Sequence, residues 1–503
     1  MLNPLPSAPT PLPYEWPPFQ VDAKAVELKH PFFERIRRFE RGMVQHVQPM
    51  ANHTRPRYLF VRDVNTGGSY TRIWRTYPTE HWCFIHSSRR ARAFIFWRSY
   101  PTLSVNADHP PFPDVLPSGE RHRIHIPLNA LIAGPAAGGP LFADASDDPS
   151  RRAISLEYFD AVLPPTERAE IDCGATNREL GLDDTRPGDE RMQRWAKKLR
   201  EMGDSCVVVT GGSPFPWWFL GSWEVLSIWP EYYTGPTLRE FAWSPLATEA
   251  IYGNFNLIMP SSSVPAYLCP TPDGSAAPRS FNAFLPLRAE SPVLPGLLAI
   301  HVRRGDFNGH SQSLAEYKSE FTTFTKLGTP GLCLPERTNG GYGAGENWIA
   351  SGIPDGYEYP AIPSYFDVPE GLSRREASLK HSWPTMEEIV VRAREIRVGA
   401  REARWGLSSA QTLRAVYIST DGEAEWVGEL ATALRADGWA HVASSLDIFE
   451  GLSREAQAVS QVVDQGIMTI AEQFVGNGFS SLTGNVVQVR LGGGREPGTI
   501  HYW

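Results

Sequence analysis

Cysteine is scarce in this chain. The 503 residues include only five cysteines, which lie far apart: Cys83, Cys173, Cys206, Cys269 and Cys333. No two of them have the CxxC spacing and no histidine cluster accompanies them, so the sequence predicts no zinc site. Because the number is odd, at least one thiol has no disulfide partner within the chain.

Long apolar runs are also lacking. No segment approaches the roughly 20 consecutive apolar residues that a membrane-spanning helix needs. The opening stretch MLNPLPSAPTPLPYEWPPF has no apolar core of the kind found in signal peptides. As written, we expect the chain to be soluble and untargeted. One triplet points the other way: Asn52-His53-Thr54 is an N-glycosylation sequon, which matters in secreted proteins but often arises by chance.

Basic residues are in the minority. The formal net charge is −8 and the isoelectric point is near 5.9. A generally basic surface for nucleic acid is therefore not expected. An anion would have to be bound by individually placed residues.

The common phosphate-binding motifs are missing where a strand meets a helix. The sequence has no DxD-type acidic pair, no Walker sequence and no GxGxxG at such a position. It therefore predicts neither a metal-bridged diphosphate nor a bound dinucleotide.

The length predicts two domains with insertions. We expect a Pro-rich leader and helix over residues 1–54, one α/β domain over 55–285, and a second over 286–503. An irregular insertion is expected at 311–383, where Gly, Pro and Tyr are frequent.

Apolar runs alternate with helical patterns, which predicts doubly wound parallel sheets. The clearest strands are predicted at 57–62, 205–213, 297–303 and 414–422, and the last at 472–478. The Gly-rich stretch RLGGGREPG that follows is interpreted as a tail loop.

Polar clusters follow three of the predicted strands: His301 to Asp306, Thr420-Asp421-Gly422, and Gly476 to Ser481. In doubly wound sheets ligands bind at the carboxyl ends of the strands. The guanidinium groups of Arg303 and Arg304 fit a diphosphate, and Ser480-Ser481 open a predicted helix whose N-terminus attracts anions. Together these groups predict a diphosphate clamp.

Each cluster also has a structural interpretation. Arg304 and Asp306 can form a local ion pair in a solvated turn. Asp464 can be an ordinary helix charge, and Ser480-Ser481 can merely cap a helix. Their occurrence at successive strand ends favours a shared site.

Three segments resemble a known family. IHVRRGDF (300–307), VYISTDG (416–422) and VVDQGIMTIAEQFVGNGFSSLTGNVVQVR (462–490) are similar to the motifs of the group that contains protein O-fucosyltransferases and α1,6-fucosyltransferases. The match covers roughly the C-terminal 200 residues. The N-terminal half more loosely resembles fungal members of the group.

The resemblance implies a GT-B fold, with two Rossmann-like doubly wound domains facing across a cleft. It further implies GDP-fucose as donor, a protein or glycan hydroxyl as acceptor, no essential metal or other cofactor, and a location in the ER or Golgi lumen. The N-terminal domain would then carry the acceptor side.

The resemblance also implies residue roles. Arg303 would hold the β-phosphate and stabilise the departing GDP, and His301 would orient the nucleotide or the sugar. Asp421 and Asp464 would contact the nucleoside, and Ser480 and Ser481 would bind phosphate. Two further donor-binding predictions come from the residues themselves: Arg304 from its guanidinium, and Gly67-Gly68 from the glycine turn that follows the first predicted strand. Asp306 is the candidate general base, although it can instead only orient the arginines, and the leaving phosphate can also take the acceptor proton.

The first glycine loop departs from the family pattern. From Thr66 the chain reads TGGSYTRIWRTYPTEHW, where relatives commonly have an aromatic residue and one or two asparagines. Three functions stay open: an inverting fucosyltransferase, an inactive GDP-sugar or glycan-binding pseudoenzyme, and a transferase for another nucleotide sugar.

Overall fold

The structure is a computed structural model. The residues that it describes are 33–47, 58–61, 103–106, 109–115, 121–141, 152–183, 186–212, 214–215, 224–260, 262–269, 286–290, 292–305, 307–316, 319, 321–328, 368, 370–403 and 413–503.

The N-terminal half contains a parallel sheet of five strands in the order β6-β2-β1-β8-β7. Its strands are β1 (Tyr58–Val61), β2 (Leu103–Asn106), β6 (Ile154–Ser155), β7 (Ala169–Asp172) and β8 (Cys206–Thr210). Two antiparallel pairs accompany it: β3 (His109–Val115) with β4 (Arg121–Ile126), and β5 (Ile132–Ala133) with β9 (Ala242–Trp243). The strands predicted at 57–62 and 205–213 are confirmed as β1 and β8.

Helices surround these strands. They are α1 (Glu34–Arg41), α2 (Val44–Val47), α3 (Leu156–Val162), α4 (Cys173–Glu179), α5 (Gly188–Glu201), α6 (Trp229–Thr234), α7 (Pro236–Arg239), α8 (Pro245–Gly253), α9 (Phe255–Ile258) and α10 (Leu287–Glu290). Short 3-10 turns lie at Leu128–Ala130, Pro135–Ala137, Pro165–Glu167, Glu224–Ile228 and Ala266–Leu268.

The C-terminal half contains a second parallel sheet of five strands, in the order β12-β11-β10-β13-β14. Its strands are β10 (Leu294–Val302), β11 (Ala415–Thr420), β12 (His441–Ser444), β13 (Ala471–Gly476) and β14 (Ile500–Tyr502). Its helices are α11 (Phe307–Glu316), α12 (Arg374–Ser382), α13 (Met386–Ala403), α14 (Ala424–Ala436), α15 (Ser445–Phe449), α16 (Arg454–Ala458), α17 (Ser460–Ile470) and α18 (Ser481–Gly492), with 3-10 turns at Thr323–Gly328 and Pro497–Thr499.

Strand β10 lies at the centre of the second sheet and is buried on both faces. Leu298, Ile300 and Val302 pack into one apolar cluster, whereas Leu297 and Ala299 pack into another. This alternation follows from the two-residue period of a strand. Each fully buried Leu, Ile or Val side chain contributes about 1.5–3 kcal/mol relative to an exposed one, so β10 is firmly anchored.

Helix α14 shows how local sequence sets an element. Its buried residues Val427, Leu430 and Leu434 recur at helical spacing, and Leu430 and Leu434 belong to the cluster that contains Ile300. The helix ends just before Gly438, which has a φ of 93° that glycine adopts without steric cost.

The sheets confirm the prediction of a mixed α/β fold built on parallel strands. Two local predictions are wrong. The Gly-rich stretch after 490 continues α18 to Gly492 and then leads to a further strand, β14. The region 311–383 is not irregular throughout, because α11, α12 and the turn Thr323–Gly328 fall in its described parts.

Among the described residues, no helix is both long enough and apolar enough to cross a bilayer.

Candidate functional site

The predicted polar clusters meet at one edge of the second sheet. Strand β10 pairs with β11 up to Val302 opposite Thr420, and with β13 up to Ile300 opposite Val475. The residues that follow these three parallel strands therefore emerge on the same side. This is the edge at which open α/β sheets bind ligands.

Arg303 is held at the end of the central strand. Its Nε lies 3.3 Å from Oδ2 of Asp421, and its guanidinium stacks over the ring of Phe307 at 4.6 Å. The residue is only 6% exposed. Gly305 turns the chain here with a φ of 52°, and a Cβ on it would lie 3.1 Å from the carboxylate of Asp421. The guanidinium thus has a fixed direction, which suits it to bind an anion.

Arg304 has different surroundings. Its guanidinium lies between two indole rings, 4.6 Å from Trp383 and 4.4 Å from Trp426. Its Nη1 donates to the carbonyl of Arg303 at 3.0 Å and its Nη2 to the carbonyl of Pro384. Burial lowers the pKa of Arg304 to about 10, against the opposing effect of Asp421. Through these contacts the Arg304 side chain holds the loop after β10 in place.

Asp421 joins the two arginines. Besides its ion pair with Arg303, its Oδ1 accepts a 2.7 Å hydrogen bond from the backbone N–H of Arg304. Its side chain is 21% exposed. Asp421 therefore directly orients the basic loop, by which we mean Arg303 to Gly305.

His301 is buried beneath this loop. Its Nδ1 lies 2.8 Å from Oγ1 of Thr483, in the first turn of α18. Burial lowers the pKa of His301 to about 3; the charge of Arg303 adds to this effect and Asp421 opposes it. The imidazole is accordingly neutral near pH 7, and it links the central strand to the helix that follows β13.

Asp464 accepts hydrogen bonds from three hydroxyl groups. Its Oδ1 accepts from Tyr417 at 2.6 Å, and its Oδ2 accepts from Ser445 at 2.8 Å and from Ser419 at 3.0 Å. Burial raises the pKa of Asp464 to about 6, although all three hydroxyls favour the ionised form. The carboxylate is thus partly buried and placed beside strand β11.

Ser480 and Ser481 lie where α18 begins. Ser480 is the N-cap and accepts from the backbone N–H of Leu482 at 3.3 Å. A Cβ on Gly478 would lie 2.6 Å from the ring of Phe321, so only glycine fits there without a shift. The hydrogen bond from Leu482 shows that Ser480 caps α18. Capping does not prevent a second role for Ser480 at the N-terminus of the helix.

Three predicted site residues lie outside the described residues: Asp306, Gly67 and Gly68. Within the described ranges, no group of three or more His, Cys, Asp or Glu side chains is arranged to hold a metal ion. The expectation that no metal takes part stays a prediction.

Several contacting residues were not singled out from the sequence. They are Phe307, Tyr417, Ser419, Ser445, Thr483 and Trp503. Tyr417 and Ser419 alternate with apolar residues in strand β11, so they share one face, which was the available signal. Trp503 gave no such signal, because its partner is about 200 residues away.

Comparison with known proteins gave matches only among solved structures. No protein-family model matches the chain, and no curated protein matches it. The chain is similar to POFUT1 in complex with GDP, with a TM-score of 0.44 and 13% identity over 90% of this chain and 99% of that chain. POFUT1 in complex with GDP-fucose gives a TM-score of 0.41 and 13% identity over 90% and 99%. The apo form of POFUT1 gives 0.43 and 12% over the same shares.

Proposed function

We propose that the chain is an inverting, metal-independent glycosyltransferase that moves fucose from GDP-fucose to a protein or glycan hydroxyl. The observation that carries the proposal is the position of Arg303, which Asp421 orients at the carboxyl end of the central strand. The motif resemblance supplies the nucleotide and the sugar.

The reaction would need such a group. Inverting transfer passes through an oxocarbenium-like state in which negative charge builds up on the departing diphosphate. A preorganised donor at that charge is worth about 3 kcal/mol of barrier. The planar guanidinium of Arg303 has the geometry to bind a diphosphate, and the ion pair with Asp421 limits its movement.

Each of the remaining site residues would bind a different part of the donor. Ser480 and Ser481 would bind phosphate at the N-terminus of α18, which carries a partial positive charge. Asp464 would contact the nucleoside, and the neutral His301 would orient the nucleotide or the sugar. Asp306 as base and Gly67-Gly68 as part of the donor site belong to the same proposal.

The domain organisation is proposed with the function. We infer a GT-B arrangement in which residues 55–285 carry the acceptor side and 286–503 carry the donor side, preceded by the leader 1–54. The sequon at Asn52 supports an ER or Golgi location.

One observation favours the alternative of an inactive GDP-sugar-binding protein. The loop SYTRIW, residues 69–74, lacks the asparagines that relatives carry after the glycines. Such a protein would bind GDP-fucose and neither transfer nor hydrolyse it.

The test is calorimetric titration with GDP, GDP-fucose, GDP-mannose and UDP-galactose in EDTA. We expect the guanine nucleotides to bind with micromolar affinity and Arg303→Ala to abolish binding. Arg401→Ala is the matched control, since Arg401 is an exposed arginine in the last turn of α13. Absence of guanine-nucleotide binding by the wild type would reject the proposal. Binding without any release of fucose would select the inactive alternative.

A further inference from the structure

Trp503 reaches the candidate site from the edge of the sheet. It directly follows β14, which pairs with β13 up to Gly476 opposite Tyr502. Its backbone N–H donates to the carbonyl of Gly476 at 3.3 Å. Its indole Nε1 donates to the carbonyl of His301 at 2.9 Å. The side chain therefore crosses the end of β13 and contacts the central strand.

The hydrogen bond from Trp503 reaches His301, where strand β10 pairs with β11 but no longer with β13. The β10–β11 ladder continues to Val302, whereas the β10–β13 ladder has its last pair at Ile300. A strand end paired on one side only opens more easily than one paired on both. The indole N–H of Trp503 gives the His301 carbonyl a donor beyond the last pair with β13. Arg303 follows His301 by two residues.

Tyr502 and the backbone of Trp503 are held by further hydrogen bonds. The carbonyl of Trp503 accepts from Nδ1 of His381 in α12, and the carbonyl of Tyr502 accepts from Nε of Arg392 in α13 at 3.1 Å. The hydroxyl of Tyr502 donates to the carbonyl of Thr325 at 2.6 Å. Trp503 also packs against the apolar cluster that includes Val302. The segment Tyr502-Trp503 is thus fixed by contacts other than the one with the central strand.

Nearby residues connect the same elements. Pro384, whose carbonyl accepts from Arg304, lines a groove together with Trp503 and His381. The turn between α12 and α13 and the residue after β14 therefore bound the basic loop on neighbouring sides. Movement of either one would be passed to the arginines.

We propose that Trp503 is a positioning residue of the donor site: its indole N–H fixes the strand end that presents Arg303. This inference rests on the proposed function for its consequence in binding and catalysis. Its structural half, the restraint on the strand end, stands independently.

The first variant is Trp503→Phe, which keeps an aromatic ring and removes the N–H. Trp439→Phe is the matched control. Trp439 also lies in the C-terminal half and is 2% exposed. Its indole Nε1 has no hydrogen-bond acceptor among the described residues. A further variant replaces Trp503 with benzothienylalanine, which has nearly the shape of tryptophan and lacks only the N–H.

Two readouts decide the inference. Hydrogen exchange of the peptide spanning 298–305 should become several-fold faster in Trp503→Phe and stay unchanged in Trp439→Phe. GDP should bind the Trp503 variants about tenfold more weakly, as expected for one lost hydrogen bond at an oriented group. If transfer activity is found, kcat should fall more than KM rises, since a displaced Arg303 matters most in the transition state.

A thermodynamic cycle separates positioning from general damage. In an Arg303→Lys background, whose binding is weaker but measurable, Trp503→Phe should have a much smaller effect on GDP affinity than in the wild type. An equal effect in both backgrounds, or unchanged exchange over 298–305, would overturn the inference. If the wild type binds no guanine nucleotide, the proposed function fails and Trp503 loses its role in the donor site, while hydrogen exchange still decides the restraint.

Discussion

Oδ2 of Asp421 lies 3.3 Å from Nε of Arg303, and the two residues follow the ends of adjacent parallel strands. The same carboxylate accepts the backbone N–H of Arg304 through its other oxygen. One side chain therefore fixes both the direction of a guanidinium and the path of the loop that carries it. The positive charge of Arg303 is therefore held in a fixed orientation at the edge of the sheet before a ligand binds.

Replacing Asp421 with Asn should remove the ion pair with Arg303. The amide oxygen can still accept from Arg304, but the amide N–H₂ would face the guanidinium of Arg303. We expect the free energy of unfolding to fall by about 2 kcal/mol, as for hydrogen bonds to charged groups. GDP should bind roughly tenfold more weakly, equivalent to about 1.4 kcal/mol. Denaturant titration and calorimetry measure the two effects.

Asp437→Asn is the control for that substitution. Asp437 pairs with Arg394 and Arg397 at the end of α14, away from the strand ends. Its loss should reduce stability and leave nucleotide affinity unchanged. If both variants bind GDP as the wild type does, Asp421 does not orient the binding group.

Arg304→Lys should affect stability more than ligand binding. A lysine cannot stack its charge flat between Trp383 and Trp426, nor reach the carbonyls of Arg303 and Pro384 with a planar fork. Because a desolvated cation–π contact is worth up to about 2 kcal/mol, we expect a loss of about 2 kcal/mol in the free energy of unfolding. Arg303→Lys should show the reverse pattern, with a larger effect on GDP affinity.

The matched control here is Arg397→Lys, because Arg397 stacks on the single indole of Trp439 at 4.7 Å. Its stability loss should be smaller than that of Arg304→Lys. A larger loss of affinity in Arg304→Lys than in Arg303→Lys would mean that Arg304 contacts the ligand itself.

Two buried groups give opposite dependences of stability on pH. The pKa of Asp464 is raised from 3.8 to about 6, so the folded state binds more protons in that range and stability falls as pH rises from 4 to 6. The pKa of His301 is lowered from 6.5 to about 3, so the unfolded state binds more protons and stability is lost as pH falls below 6.5.

The variant Asp464→Asn isolates the contribution of Asp464 to the pH dependence of stability. The difference in free energy of unfolding between wild type and Asp464→Asn should shrink from pH 4 to pH 6 and stay constant above about pH 7. Denaturant titrations at half-unit pH intervals measure this difference. A difference that does not vary with pH would show that Asp464 keeps an ordinary pKa.

The sequence predicted those parts of the site that lie next to one another along the chain. Strand β10 and the charges after it were recognised together because an apolar run directly precedes Arg303. The same holds for β11 with Asp421 and for β13 with Ser480. Local alternation and a polar strand end suffice for such predictions.

Contacts between distant segments were not predictable in this way. The sequence does not show that Trp383 and Trp426 enclose the guanidinium of Arg304, because both lie far from it along the chain. Strand β14 was missed because it has three residues and is defined only by pairing with β13. Such pairing depends on the assembled sheet and leaves no periodic pattern in so short a stretch.

Ser480→Ala tests whether the start of α18 does more than cap a helix. Ser480 accepts from the N–H of Leu482, two residues on, and Ser453 likewise caps α16 by accepting from the N–H of Ala456, three residues on. Loss of either cap should lower the free energy of unfolding by about 1 kcal/mol. Only the loss at Ser480 should weaken GDP binding, by several-fold, because a phosphate there would use the same hydroxyl and the positive end of the helix. Calorimetry on both variants, with stability measured in parallel, makes the comparison. Equal affinities in Ser480→Ala and Ser453→Ala would restrict the Ser480 hydroxyl to capping α18.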